Sequence, residues 1–104
     1  MTPDEFRKLA LSQTDAVENE HMGHPDFRVK NKIFATMGYP GAGWAVLKLT
    51  LQQQDQLVLA HPELFSAVPG GWGKRGNTRL LLEEATLAIV ASAVATAWGN
   101  LTGG

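Results

Sequence analysis

Phe27-Arg28-Val29-Lys30-Asn31-Lys32-Ile33-Phe34-Ala35-Thr36-Met37 is the stretch whose reading decides the fold. Phe27 to Lys30 alternates apolar and basic residues, the period of a half-buried strand. Asn31 tolerates positive φ and suits a tight turn. Ile33 to Met37 then reads as the return strand of a hairpin. The spacing leaves open whether the loop holds two or three residues, and a slip of one residue would exchange the two faces. Either loop is too short for a crossover, so the pair must be antiparallel.

The same signals extend in both directions. Upstream, Thr2-Pro3-Asp4-Glu5 is a helix start, with Thr2 as cap, Pro3 in the first turn and Glu5 completing a capping box. Phe6, Leu9 and Ala10 follow at helical spacing, and the helix is expected to end near Ser12 to Thr14. Downstream, Tyr39-Pro40-Gly41-Ala42-Gly43 reads as a loop. Trp44 to Thr50 alternates again, with Trp44, Val46 and Lys48 on one face and Ala45, Leu47 and Leu49 on the other. Gln52 to Ala60 reads as a second helix stopped by Pro62. Leu64 to Val68 reads as extended, and Thr78 to Leu82 as a buried strand. Glu83 to Trp98 reads as a helix, with Glu83 and Glu84 at its N-terminus and Gly99 as its C-cap. Leu87, Val90, Ala91, Val94 and Trp98 share one of its faces, and the charge-free helix needs cover on more than one side. The order predicts an α+β two-layer sandwich, an antiparallel sheet with helices packed on one face. A single domain, residues 1–104, is expected.

Bulk numbers agree with a globular chain. The 104 residues are 44% apolar and 18% charged, with a net charge of −1. There is no cysteine, so disulfides and thiolate chemistry are excluded, and a cytoplasmic location is expected. Ala85 to Trp98 is shorter than the ~20 residues of a spanning helix, so no membrane association is expected. Six of the nine basic residues fall in two short clusters, Arg28, Lys30 and Lys32, then Lys74, Arg75 and Arg79.

Gly71-Trp72-Gly73-Lys74-Arg75-Gly76 matches the letters G-x-G-x-x-G. The dinucleotide fingerprint requires a helix opening at the glycines inside a parallel β-α-β unit. Here Asn77 to Leu82 reads as a strand, so the motif is expected to be a flexible basic turn bearing an aromatic. His21 and His24 are three apart but flank Gly23 and precede Pro25, so the helix-face metal pattern does not apply. No metal, no cofactor and no enzymatic activity are expected, since no nucleophile, carboxylate pair or cysteine is fixed by spacing.

His21-Met22-Gly23-His24-Pro25-Asp26-Phe27-Arg28-Val29 followed by Lys32-Ile33-Phe34-Ala35 resembles the H-x-G-x-P-x-F-R-V … K-I-F-A core of MmcQ/YjbR-like proteins. Pro62-Glu63-Leu64-Phe65, Val68-Pro69-Gly70 and Trp72 to Thr78 are similar to that family's second block. The resemblance implies a CyaY-like (frataxin-like) sandwich and a DNA-binding role through two projecting wings. Mapped here, the wings are Arg28, Lys30 and Lys32, and Trp72, Lys74, Arg75 and Arg79. Asn77 departs from the bulky aromatic common at its position. Frataxin-like iron binding does not carry over, because the first helix has only Asp4 and Glu5 as acids. Three function classes therefore stand: a DNA-binding module, a small-ligand or anion-binding protein using the glycine-rich segment, His21 and the basic residues as a pocket, and a non-catalytic interaction module. A monomer or weak homo-oligomer is expected.

Overall fold

In the computed structural model, which describes residues 1–103, the hairpin is where the sequence places it. Strands β2 (His24–Val29) and β3 (Lys32–Met37) pair antiparallel. The link has two residues, Lys30 and Asn31, both at positive φ (52° and 63°). That is the turn whose twist matches a right-twisted hairpin. A bulge between Phe27 and Arg28 shifts the register, so Phe27 faces Ala35 while Arg28 faces Ile33. The extra residue, Phe34, is thereby turned into the core, where it is fully buried.

Among the described residues the other elements are α1 (Pro3–Leu11), β1 (Val17–His21), β4 (Trp44–Lys48), α2 (Leu51–Ala60), β5 (Phe65–Ala67), α3 (Gly71–Lys74), β6 (Asn77–Leu81) and α4 (Leu87–Thr102). The six strands form one antiparallel sheet in the order β1-β2-β3-β4-β6-β5. The α+β sandwich expected from the sequence is the fold observed.

One face of the sheet carries the core. Phe27, Ala35, Leu47 and Thr78 lie in register across four strands, and Met37, Ala45, Leu80 and Phe65 form the next row. Phe6 of α1 meets Phe27 edge-on, ring centroids 6.1 Å apart. From α4, Val90, Ala93, Val94 and Ala97 complete the cluster. Both capping boxes form, Thr2 with Glu5 and Thr50 with Gln53, and the Trp98 indole N–H donates to the Thr14 carbonyl at 2.9 Å, tying α4 to the turn that follows α1.

Four local expectations need correction. No strand is expected before Phe27, yet β1 forms there. Its sequence, Val-Glu-Asn-Glu-His, is exposed along nearly its whole length and so lacks apolar alternation; its acids suit an open sheet edge. Gly71 to Lys74 is a one-turn helix rather than a flexible turn, held by tertiary contacts that its two glycines would not predict. The last helix begins at Leu87 under a Thr86 cap, not at Glu83, and runs past Gly99 to an αL cap at Gly103. Its buried stripe excludes Leu87, which is exposed. Finally, β6 is buried on one side only, because Arg79 alternates with buried Thr78 and Leu80.

Candidate functional site

The helices α1, α2 and α4 leave the opposite face of the sheet uncovered. Strand alternation sends Asp26, Thr36, Val46, Arg79 and Ser66 to that face as a cross-strand row. Trp44 and Lys48 share it, as the alternation of Trp44 to Thr50 predicts.

A groove of about 510 Å³ lies on this open face and runs along β3 and β4. Ile33, Thr36 and Val46 line its floor. At one end stand His21, Met22 and His24 of the β1–β2 hairpin together with Tyr39. At the other end stand Lys48, Val68, Asn77 and Trp72 of α3. Met22, Trp72 and Tyr39 are large apolar side chains left exposed, Met22 at 93% and Trp72 at 64%. Exposed apolar groups that converge on one concavity are characteristic of ligand sites, whereas scattered ones are ordinary.

The glycine-rich segment builds the far wall. Gly70, at φ 77°, turns the chain into α3. Gly73 approaches so closely that an added Cβ would lie 1.9 Å from the Val68 carbonyl oxygen. Gly76, at φ 98°, approaches Leu49 in the same way, its would-be Cβ 1.7 Å from the carbonyl oxygen. Buried Gln54 of α2 then donates its amide to the Gly73 and Asn77 carbonyls and to Thr78 Oγ1, at 3.1–3.2 Å. The Asn77 amide donates to the Trp72 carbonyl at 3.0 Å, fixing α3 against the start of β6. Trp72 therefore stands at the groove on a rigid seat, not on a hinge.

The near wall contains a buried charge. Asp26 is fully buried, and both its oxygens are occupied. Arg28 donates from Nε to Oδ1 at 2.8 Å and from Nη2 to Oδ2 at 3.1 Å. His21 Nδ1 lies 2.7 Å from Oδ2. The Arg28 hydrogen bonds hold the Asp26 carboxyl below the usual carboxylate range, against the opposing effect of burial, and His21 adds to the lowering. In return Asp26 holds Arg28 more firmly in its charged form.

The residues mapped as wings have separate fates. Arg28 is spent on Asp26. Arg79 bonds Ser66 Oγ at 3.1 Å and lies over the Trp44 ring, 5.6 Å from its centroid. Lys30 occupies the β2–β3 turn and Lys32 begins β3. Lys74 and Arg75 lie at the end of α3, with Arg75 5.8 Å from the Trp72 ring centroid. By strand register the β2–β3 turn, Lys48 and α3 lie at the same end of the sheet. That end thus gathers Lys30, Lys32, Lys48, Lys74 and Arg75. Asp26, Tyr39, Met22 and Lys48 belong to the groove and its walls without having been singled out by any motif. The pairing of Asp26 with Arg28 had a signal in the sequence, because residues two apart on a strand share a face.

A family model described as YjbR matches residues 11–100. No curated protein matches the chain. Among solved structures, Deinococcus radiodurans protein DR2400, described as a DUF419 family-model domain, superposes with a TM-score of 0.80 at 16% identity, covering 97% of this chain and 78% of that one. At that identity the likeness speaks for the fold alone.

Proposed function

The chain belongs to the YjbR family, and for this member we propose a small-molecule-binding function seated on the helix-free face of the sheet. One observation carries the reading: a groove of about 510 Å³ with a mainly apolar lining, walled by exposed Trp72, Tyr39 and Met22. Its volume falls within the ~300–1,000 Å³ typical of small-ligand sites. The chemistry favours a molecule with a flat or branched apolar body, contacting Val46 and Ile33 below and Trp72 at the end. A thermal-shift screen of small aromatic and aliphatic compounds tests it. Hits should saturate and bind Trp72→Ala at least about tenfold more weakly. A screen without a saturable hit, or hits indifferent to Trp72→Ala, refutes the proposal.

A second reading keeps DNA as the partner. It is favoured by the five cations at one end of the sheet beside an exposed Trp72, and no longer draws on Arg28 or Arg79, whose guanidinium groups have protein partners. If all five met phosphates, the log–log salt slope would be about −4. Anisotropy of labelled duplex and single-stranded DNA at low salt decides it. Lys74→Glu combined with Arg75→Glu should abolish binding, while absence of binding by the unaltered protein refutes the reading.

A further inference from the structure

Asp26 is the one acid among the buried side chains of the described residues, and stability does not account for it. A buried ion pair is generally no more stabilising than apolar residues of the same volume. The geometry gives it another use. Its carboxyl is held ionised by two hydrogen bonds from Arg28, and an ionised carboxylate can only accept. His21 Nδ1, 2.7 Å away, must therefore carry its proton and donate it. In the neutral ring this leaves Nε2 as an acceptor. Nε2 has no protein partner among the described residues, and the ring lines the groove.

We propose that His21, set in one tautomer by Asp26, is the acceptor by which the groove selects ligands carrying a hydroxyl or N–H donor on an apolar, ring-sized body. The inference rests on the small-molecule reading above and adds the polar half of the ligand. The body lies along Val46 and Ile33, and the donor points to the end of the groove formed by the β1–β2 hairpin. Thr36 and Tyr39 carry hydroxyls whose hydrogens rotate, so they accept or donate as a ligand requires. His21 alone on this surface has its neutral tautomer set from behind by a buried charge. A ligand that offers only an acceptor leaves Nε2 unsatisfied.

The test compares 2-naphthol, which offers a donor, with 2-methoxynaphthalene, which does not. Both are titrated into the full chain and followed by the Trp72 indole and His21 imidazole resonances in nitrogen-correlated NMR spectra. The proposal predicts an Nδ1–H tautomer in the free protein and a shift of the Nε2 resonance on adding 2-naphthol. It also predicts about tenfold tighter binding of 2-naphthol, the worth of one hydrogen bond. In His21→Phe, at a partly exposed position that tolerates a ring, the two probes should bind with equal affinity. Equal affinity in the unaltered protein, or a preference that survives His21→Phe, overturns the inference while leaving the groove standing. If neither probe binds, the inference falls together with the ring-sized ligand. An Nε2–H tautomer in the free protein overturns it without reference to any ligand. Asp26→Asn should relax the tautomer; if that variant does not fold, the probe ratio in His21→Phe and the tautomer of the unaltered protein decide the question.

Discussion

Replacing Gly73 by alanine isolates the close approach on which the far wall of the groove depends. Gly73 has no positive φ, so alanine there meets no backbone strain of the left-handed kind. The obstacle is spatial: the new Cβ would lie 1.9 Å from the Val68 carbonyl oxygen and 3.2 Å from the Ala67 Cβ. A close carbon–oxygen contact is about 3.3 Å, so backbone must retreat by about 1.4 Å. Neither side is free to move. Val68 donates its N–H to the Asn77 carbonyl at 3.0 Å, and the Gly73 carbonyl accepts from buried Gln54 at 3.2 Å. Overpacking costs about 1–3 kcal/mol and each weakened hydrogen bond about 1 kcal/mol, partly offset by the better helix propensity of alanine. The expected destabilisation is about 2–4 kcal/mol, a fall in Tm of roughly 10–20 °C for a domain of this size. Gly71→Ala is the control. It lies in the same one-turn helix with nothing within 4 Å of its would-be Cβ. That variant should melt at or slightly above the unaltered protein, because alanine restricts the unfolded chain. Thermal unfolding by circular dichroism measures both. If Gly73→Ala melts within about 2 °C of Gly71→Ala, steric exclusion is not what seats α3, and the account of the glycine-rich segment is wrong.

Other perturbations test the remaining parts. Asp26→Asn should cost about 3 kcal/mol, the low end for a broken buried pair, because Arg28 keeps some access to water. Its pH dependence has a fixed sign. Asp26 is lowered in the folded state, so its stabilisation is complete above the ordinary carboxylate pKa of about 3.9 and is lost as pH falls toward the folded value. The gap in stability between the unaltered protein and Asp26→Asn should therefore be flat above about pH 5 and narrow below about pH 4 in urea titrations; a gap unchanged at pH 3 would contradict it. Thr78→Val should cost about 1 kcal/mol in the same titrations, since it removes the hydroxyl that accepts from Gln54 and donates to the Gly76 carbonyl, while Gln54 keeps the Gly73 and Asn77 carbonyls and Gly76 keeps the Leu49 N–H. Thr2→Ala removes the hydroxyl that accepts the Glu5 N–H at 3.1 Å, with an expected loss of about 1 kcal/mol and a helix that frays from its N-terminus by hydrogen exchange.

What the sequence disclosed was what local chemistry specifies. The hairpin from Phe27 to Met37, the Thr2 helix start and the two faces of Trp44 to Lys48 follow from period, cap and turn, and all are present. Features that depend on distant partners were not legible. β1 has one apolar residue in five and becomes a strand only because β2 lies beside it. The Phe27/Arg28 bulge shows no local signature, yet it sends Phe34 inward. The one-turn helix α3 is too short to display a helical period, and two of its four residues are glycine.

The candidate site was hidden for the same reason. Arg28 and the lysines read as phosphate contacts because a sequence displays charge without showing what neutralises it. Asp26 stands two residues before Arg28 on the same strand face, so that pairing was accessible from strand period alone. His21 was not, because it reaches Asp26 only when Met22 and Gly23 make a hairpin turn of a segment with little strand character. The glycine-rich run underwent the opposite change. As letters it resembled a phosphate-binding loop, whose glycines let a ligand approach the backbone. In the structure Gly73 and Gly76 admit the protein's own Val68 and Leu49 carbonyls into the space that a Cβ would fill. That packing fixes Trp72 at the mouth of an apolar groove, so the glycines that match the motif by letter serve to bring the chain against itself and build the wall of the site proposed here.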